Sequence, residues 1–177
     1  GRVSYGDNEK IRITHIIGNS LHTALIGSSE YTPLHTLESP GKGDPETQGM
    51  YAYVWDKHDD IYTAEHSGGS FHHSSFTSGS KVKCAGMIRV SNGKIQAVNN
   101  NSGHYRPSKR YLLNFVRFLM GRDVFEKGPG NRITTMVGYE PGTPPVSMDQ
   151  FLNPAPPVRR PAVPSRAGRP PIPGRAG

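Results

Sequence analysis

Alternating apolar and polar positions in the middle of the chain predict two β-hairpins. The aromatic-rich run MYAYVWD, residues 50–56, and the run IYTAEH, residues 61–66, are separated by the polar turn KHDD. Aromatic and β-branched residues in short runs of this kind are typical of strands. A second hairpin joins KCAGMIRV to IQAV through Asn92-Gly93, a dipeptide that favours the type I′ turn because both central residues of that turn need positive φ.

A helical period replaces the strand pattern after residue 108. Ser108 is a candidate N-cap, and Gly121 supplies the stop. The positions between them with apolar side chains at helical spacing are Leu112, Leu113, Phe115, Val116, Leu119 and Met120. The pattern therefore predicts an α+β fold, in which one amphipathic helix, about 109–120, packs on an antiparallel β-meander or split sheet.

The first 49 residues have a weaker pattern than the centre of the chain. Apolar residues between positions 11 and 25 allow a strand or a short helix, and residues 39–48, SPGKGDPETQ, are typical of a loop. After the helix, ITTMVGY allows one more strand, and order is expected to be lost from Pro141 to Pro145. These features predict a folded domain over residues 1–150 and a tail over 151–177.

The charge of the chain lies mostly in this tail. Of 21 basic and 14 acidic residues, five arginines and no acidic residue lie in positions 153–177, together with eight of the 16 prolines. Such a segment buries too little apolar surface to offset its ordering entropy, which favours disorder or polyproline II. The remaining positions are nearly neutral, which weighs against nucleic acid as a partner.

The tail repeats the spacing Pro-x-x-Pro-x-Arg three times. Prolines three residues apart lie on one face of a polyproline II helix, and the arginine reaches the acidic rim of an SH3-type groove. A basic low-complexity linker with chance matches is the alternative. The residues of the three copies are Pro154, Pro157, Arg159, Pro161, Pro164, Arg166, Pro170, Pro173 and Arg175.

Two polar segments flank the Asn-Gly hairpin and form a candidate site. Imidazole, hydroxyl and amide groups in one cleft suit acid-base catalysis or the binding of a polar ligand, whereas ordinary turn residues are the simpler reading. A metal-dependent nuclease and a serine hydrolase triad completed by Asp59 are further alternatives, although no G-x-S-x-G elbow surrounds the serines. The segments contain His72, His73, Ser74, Ser75, residues 99–101, Ser102, His104 and Tyr105.

The sequence lacks the signatures of several other classes of protein. The chain has a single cysteine, Cys84, which excludes an intramolecular disulfide and a cysteine-rich zinc site. No apolar stretch approaches the roughly 18 residues of a membrane-spanning helix. Gly41-Lys42-Gly43-Asp44 lacks the strand and helix that flank a phosphate-binding loop. We therefore expect no membrane segment, no metal centre and no Walker-type or Rossmann-type nucleotide site.

The order HSSF, Ala85-Gly86, Asn92-Gly93, SGHY and Pro107 resembles the core block of the plant IQ-motif calmodulin-binding proteins. The stretch NSLH, residues 19–22, is similar to an Asn-Leu-His stretch upstream of that block. The resemblance is strong over residues 71–119 and implies a shared fold. The chain departs from the plant family because Ile95-Gln96 falls in a predicted strand, so calmodulin binding is not carried over.

Related blocks occur in secreted effectors and toxin domains of bacteria, some of which resemble ADP-ribosyltransferases. That resemblance implies a split sheet that holds NAD and a catalytic glutamate, here Glu140 or Glu65. The implied catalytic residues are His73, Ser75, His104 and Glu140, and the implied NAD-binding residues are Arg12, His22, Ser74, Asn100, Ser102 and Tyr105.

The leading hypothesis from the sequence is a bacterial effector or toxin, delivered into the host cytoplasm, that transfers ADP-ribose from NAD to a host protein. Ubiquitin-like and cytoskeletal proteins are possible acceptors, and the tail recruits SH3-type domains. The first alternative is a non-catalytic adaptor that acts through the tail. The second is a metal-dependent nuclease toxin.

Overall fold

The computed structural model describes residues 11–41, 43–65, 81–102, 107–139 and 142–155. These residues form one nine-stranded sheet with a long helix, which confirms the predicted α+β class. The elements are β1 (Arg12–Ile17), β2 (Ser20–Leu25), β3 (Thr32–Pro33), β4 (Tyr51–Asp56), β5 (Ile61–Ala64), β6 (Val82–Ser91), β7 (Lys94–Asn99), α1 (Lys109–Met120), a 3₁₀ turn (Pro129–Asn131), β8 (Met136–Gly138), β9 (Val146–Ser147) and α2 (Met148–Leu152).

The strands lie in the order β3-β2-β1-β5-β4-β6-β7-β8-β9. All neighbouring strands run antiparallel except β7 and β8, which are parallel, so the sheet is mixed. A parallel pair needs a long crossover, and α1 with the following turns supplies it between β7 and β8. The crossover that the parallel β7–β8 pair requires therefore places α1 against the sheet.

Both predicted hairpins are present. β4 pairs with β5, and β6 pairs with β7 through Asn92 at φ 46° and Gly93 at φ 83°. Two positive φ values at the central positions are the requirement of the type I′ turn. The sequence prediction for this turn is therefore confirmed at the level of backbone angles.

The N-terminal segment forms a hairpin, β1–β2, which resolves the choice between strand and short helix. Gly18, at φ 63°, lies in the turn between these strands. The hairpin is joined to the Asn-Gly hairpin because Leu21 N–H donates to the Gly93 carbonyl at 2.9 Å. Thr36 N–H donates to the Val90 carbonyl at the same distance, so the chain after β3 continues beside β6 where β4 no longer covers it.

The helix α1 covers one face of the sheet. Leu112, Phe115, Val116 and Leu119 are fully buried, as their spacing predicts, and Phe115 stacks on Tyr53 with ring centroids 4.8 Å apart. Ser108 occupies the N-cap position without a side-chain cap hydrogen bond. The stability of α1 therefore comes from packing of its apolar face rather than from its N-cap.

Ordered structure continues past the point where the sequence led us to expect its loss. Ser147 and Gln150 form a capping box at the start of α2, and Phe151 on this short helix is buried. The Lys109 ammonium lies 4.3 Å from the Tyr139 ring centroid and 5.7 Å from that of Phe151. The expectation of disorder was wrong for residues 142–155, because apolar contacts of α2 outweigh the nearby prolines. The division at 150/151 stays a prediction.

Candidate functional site

Most of the predicted site residues lie outside the described part of the chain, and the roles assigned to them stay predictions. Among the predicted catalytic and ligand-binding residues, these are His73, Ser74, Ser75, His104, Tyr105 and Glu140. The same holds for the tail residues Pro157, Arg159, Pro161, Pro164, Arg166, Pro170, Pro173 and Arg175, whereas Pro154 is described and exposed.

Arg12 and His22 lie on neighbouring strands at the start of the described chain. Arg12 pairs with Leu25 across β1 and β2, whereas His22 pairs with His15. Because residues 12 and 15 alternate along the strand, the two predicted NAD-binding side chains belong to opposite faces of the sheet. The His22 Nδ1 lies 3.3 Å from the Ser20 carbonyl oxygen.

Arg12 lies close enough to Tyr51 for its charge to affect the pKa of the tyrosine phenol. Burial raises the pKa of the Tyr51 phenol, and the charge of Arg12 lowers it in part, while Glu65 and Glu38 raise it further. Glu65, the second candidate for a catalytic glutamate, is exposed at the end of β5. Arg12, Tyr51 and Glu65 lie on or next to β1, β4 and β5, and β6 separates β4 from β7 in the sheet.

Asn100 and Ser102 lie together just after β7. The Asn100 side-chain N–H donates to the Pro107 carbonyl at 2.9 Å, which holds the start of the α1 connection to the end of the strand. The Ser102 backbone N–H donates to the Asn100 carbonyl at 2.9 Å, and Ser102 is buried. These two candidate residues are therefore brought together, and Asn100 lines a cleft together with its neighbours Asn99 and Asn101.

That cleft, which we call the β7 cleft, lies at the end of β7 and has a volume of about 380 Å³. Three segments that are distant in sequence build it: the loop before β4, the β6–β8 part of the sheet, and the loop between β8 and β9. Its lining residues are Glu46, Met50, Arg89, Ala97, Val98, Asn99, Asn100, Asn101, Met136, Gly138, Gly142, Thr143 and Pro145.

The floor of the β7 cleft is held in place by Asn99. Its side-chain oxygen accepts the backbone N–H groups of Met87 and Asn101, both at 2.9 Å. Its backbone carbonyl accepts the hydroxyl of Tyr53, which is fully buried, at 2.7 Å. Gly86 is required beside it because a Cβ there would overlap the Asn99 carbonyl. The end of β7 is thus fixed to the core by both side-chain and backbone contacts.

Cys84 lies near the same tyrosine but has no nucleophilic character. Burial raises the pKa of its thiol to about 11, against a lowering contribution from the Tyr53 hydroxyl 3.4 Å away. Burial likewise raises the pKa of Tyr53 far above its usual value. Both groups are therefore neutral at physiological pH, and they are core residues as the strand position of Cys84 predicts.

The sequence reasoning found the asparagine run but missed Arg89, Met50 and Met136. A signal for Arg89 was available, because it shares a strand face with Ala85 and Met87, and a charged residue on an apolar face marks a place where that face opens. No comparable signal marks the two methionines. They are separated by many residues, and only the tertiary fold places them in one cleft.

Within the described ranges, no group of three or more His, Cys, Asp or Glu side chains is placed to hold a metal ion. No helix in that part of the chain is long and apolar enough to cross a membrane.

The family model and the curated proteins that match this chain are all named for an IQ motif or an IQ domain. The family model of the IQ motif-containing protein middle domain matches residues 22–112, just over half of the chain. The Arabidopsis thaliana IQ domain-containing protein IQM2 is 33% identical over 104 residues, which are 58% of this chain and 17% of that protein. IQM3 of the same plant is 38% identical over 86 residues, or 49% of this chain and 18% of that protein.

The chain spans less than a fifth of the length of these curated relatives. No solved structure matches it. The resemblance of the HSSF-to-SGHY block to the plant IQ-motif family is confirmed by the family match.

The matched relatives are plant proteins named for an IQ domain, and this overturns the leading functional hypothesis. The predictions of a bacterial effector or toxin, of delivery into a host cell and of an NAD-dependent ADP-ribosyltransferase were wrong. The nuclease toxin fails with them, and the relatives give no support to a host acceptor or to an adaptor that recruits SH3-type partners through the tail. The error arose because the block was assigned to bacterial proteins as well as to plant ones. NAD binding stays a prediction.

Proposed function

The chain belongs to the IQ motif-containing protein middle domain family, and from this premise we propose that it is a non-catalytic module that binds a segment of a protein partner in the β7 cleft. The observation that carries the proposal is the cleft itself. Its volume of about 380 Å³ falls in the range of roughly 300 to 1,000 Å³ typical of ligand sites. Its lining combines apolar side chains with a few polar groups, as binding sites do.

The chemistry of the cleft favours binding over catalysis. Its lining residues include one carboxylate, Glu46, and no histidine or cysteine. Nucleophilic catalysis needs an activated nucleophile, and acid-base catalysis relies most often on histidine or on a buried carboxylate. The described lining has no histidine or cysteine and its one carboxylate is exposed, whereas its amide, guanidinium and thioether groups suit recognition.

Calmodulin is not the partner that we propose for the described residues. Ile95 of the Ile-Gln pair is fully buried in β7, and the Gln96 side chain donates to Glu126 at 3.0 Å. The basic amphipathic helix α1 has the composition of a calmodulin target, but its apolar face is buried against the sheet. Calmodulin would have to unfold the domain to reach either element.

Selection from a random-peptide display library tests the proposal. The full chain is used as bait, and the selected peptides are then measured against Met136→Trp, which fills the cleft from a side chain that is 38% exposed. Leu25→Trp is the matched control, since Leu25 is a strand residue of similar exposure, 40%, that does not line the cleft.

We expect selected peptides to lose at least about tenfold in affinity on Met136→Trp and to keep it on Leu25→Trp, because a filled hot-spot pocket removes the anchor. Circular dichroism and thermal unfolding establish that both variants fold. Peptides that bind both variants as they bind the wild type, or a library that yields no binders, would overturn the proposal.

A further inference from the structure

We propose that the β7 cleft recognises a carboxylate, so that the bound segment is an extended peptide with an Asp or Glu at Arg89 and an apolar side chain between Met50 and Met136. This inference rests on the proposed function and adds the chemistry of the ligand to it. Charge complementarity, the free donors of the cleft and its apolar walls are the three observations that carry it.

Arg89 is held in place by a hydrogen bond and forms no ion pair with another described residue. It is half-buried on β6, and one guanidinium nitrogen donates to the Gln48 carbonyl at 3.0 Å. The ion pairs within the described ranges join other residues: His35 with Glu38, Lys83 with Asp59, and Lys127 with Asp123. A guanidinium has five N–H donors in a planar fork that matches a carboxylate. Among the described residues, the bond to Gln48 orients the Arg89 side chain and leaves most of its N–H donors for a ligand.

The asparagine run adds neutral donors to the same cleft. The Asn99 side-chain oxygen is already engaged by two backbone N–H groups, which fixes the amide orientation and directs its NH₂ group toward Met50 Sδ, 4.0 Å away. Thioether sulfur is a weak acceptor, so this NH₂ group gains by donating to an oxygen of a ligand. Asn101 is exposed at the cleft and can pair with a peptide backbone.

The walls of the cleft are apolar and adaptable. Met50, Ala97, Met136 and Pro145 line it, and of these Met50 is almost fully buried whereas Met136 is partly exposed. Unbranched thioether side chains repack around ligands of different shape. A pair of methionines beside a fixed cation therefore favours a ligand with an aliphatic or aromatic group next to its carboxylate.

Glu46 also lines the cleft and is exposed. Its carboxylate forms no ion pair with Arg89, although both residues line the cleft. It repels the ligand carboxylate, and it can accept a backbone N–H of the peptide. Glu46→Gln should therefore tighten the binding of an acidic peptide by a few-fold at low salt.

A paired-peptide measurement tests the inference. Peptides selected with the full chain are resynthesised with each Asp or Glu replaced by Asn or Gln, and dissociation constants are measured by calorimetry for the wild type and for Arg89→Gln. Arg117→Gln is the matched control, because Arg117 is an exposed arginine on α1 outside the cleft. The basic tail is identical in all three proteins, so its non-specific attraction for acidic peptides cancels.

We expect the acidic peptide to bind the wild type about ten- to a hundredfold more tightly than its amide analogue, as hydrogen bonds to charged groups imply. Arg89→Gln should remove that preference, Arg89→Lys should keep part of it, and Arg117→Gln should leave it intact. Equal affinities for acidic and amide peptides, with binding still lost on Met136→Trp, would overturn the carboxylate inference and leave the proposed function standing.

A small-molecule probe tests whether the cleft recognises a carboxylate even if it binds no peptide. 4-Methylpentanoate and its amide are titrated into the full chain, and the Arg89 side-chain Nε–H resonance is followed by nuclear magnetic resonance. If the acid shifts this resonance and the amide does not while no peptide binds, carboxylate recognition stands and a peptide ligand is wrong. If the acid does not shift the Arg89 resonance and no peptide binds the chain, both proposals are overturned.

Discussion

The hydroxyl of Tyr53 connects the core to the β7 cleft, and Tyr53→Phe tests that connection. The ring is fully buried and stacks on Phe115, and the hydroxyl donates to the Asn99 carbonyl at 2.7 Å. Removal of the hydroxyl leaves the ring stacking in place but takes the donor from that carbonyl. Because Asn99 forms the floor of the cleft, its loss of a partner affects both the stability of the domain and the position of the cleft residues.

The expected cost follows from the burial of the carbonyl. A buried polar group that loses its partner costs about 1 to 3 kcal/mol, and here no water-exposed surface of Tyr53 is available to relieve it. We therefore expect Tyr53→Phe to lower the free energy of unfolding by about 2 kcal/mol. Urea denaturation followed by circular dichroism measures this change, provided that the slope of the transition is the same in both proteins.

Tyr31→Phe is the control, because the Tyr31 hydroxyl makes an exposed contact with the His15 Nε2 at 3.3 Å. Its loss should change stability by less than about 0.5 kcal/mol, as is usual for surface positions. If Tyr53→Phe costs no more than Tyr31→Phe, the hydroxyl does not hold the end of β7 and the account of the cleft floor is wrong.

Three further predictions concern the core around this tyrosine and the partner of the domain. Burial raises the pKa of Cys84 from 9.0 to about 11, so the thiol of the unfolded chain loses its proton at a lower pH than that of the folded chain. The free energy of unfolding should therefore fall as the pH rises through this interval. Urea denaturation at several pH values should show a smaller fall for Cys84→Ala. Gly86→Ala should destabilise the domain by about 2 kcal/mol or more, because the added Cβ overlaps the Asn99 backbone. Gly121→Ala is the control and should not destabilise it, because Gly121 has φ −63° and its nearest neighbours lie 3.8 Å from the added Cβ. Thermal unfolding compares the two variants. Calmodulin, with or without Ca²⁺, should leave hydrogen exchange in α1 unchanged, and deprotection of α1 would show that this helix is a target.

Elements specified by local chemistry could be predicted from the sequence. Asn92-Gly93 determines its own turn, and the spacing from Leu112 to Leu119 determines the buried face of α1. The parallel pair of β7 and β8 could not be predicted, because β8 has three residues and its partner is chosen by the crossover through α1. Nor was α2 predicted, because its five residues are too few for a helical period; besides the Ser147–Gln150 capping box, contacts of Phe151 with Tyr139 and Lys109 hold it.

The candidate site likewise contains residues that the local sequence indicates and residues that only the tertiary fold brings together. Asn100 and Ser102 stood out because they belong to a cluster of amide, hydroxyl and imidazole residues that flanks the Asn-Gly hairpin. Arg89 did not, since one arginine in a strand is ordinarily a solvated side chain. Its role depends on Gln48, 41 residues earlier, and on the register that places it opposite Ala97. Its apolar neighbours Ala85 and Met87 are a local signal for Arg89, but its contact with Gln48 leaves no mark in a local window of sequence.

The central claim is that the β7 cleft holds a carboxylate-bearing segment of a partner. Its most direct test is a nuclear magnetic resonance titration of the isotope-labelled full chain with an acidic peptide from the library selection. The account predicts that the largest shifts fall on Arg89, on residues 99–101 and on Met136, and that Arg89→Gln abolishes them. Shifts confined to the arginine-rich tail, or unchanged in Arg89→Gln, would contradict it.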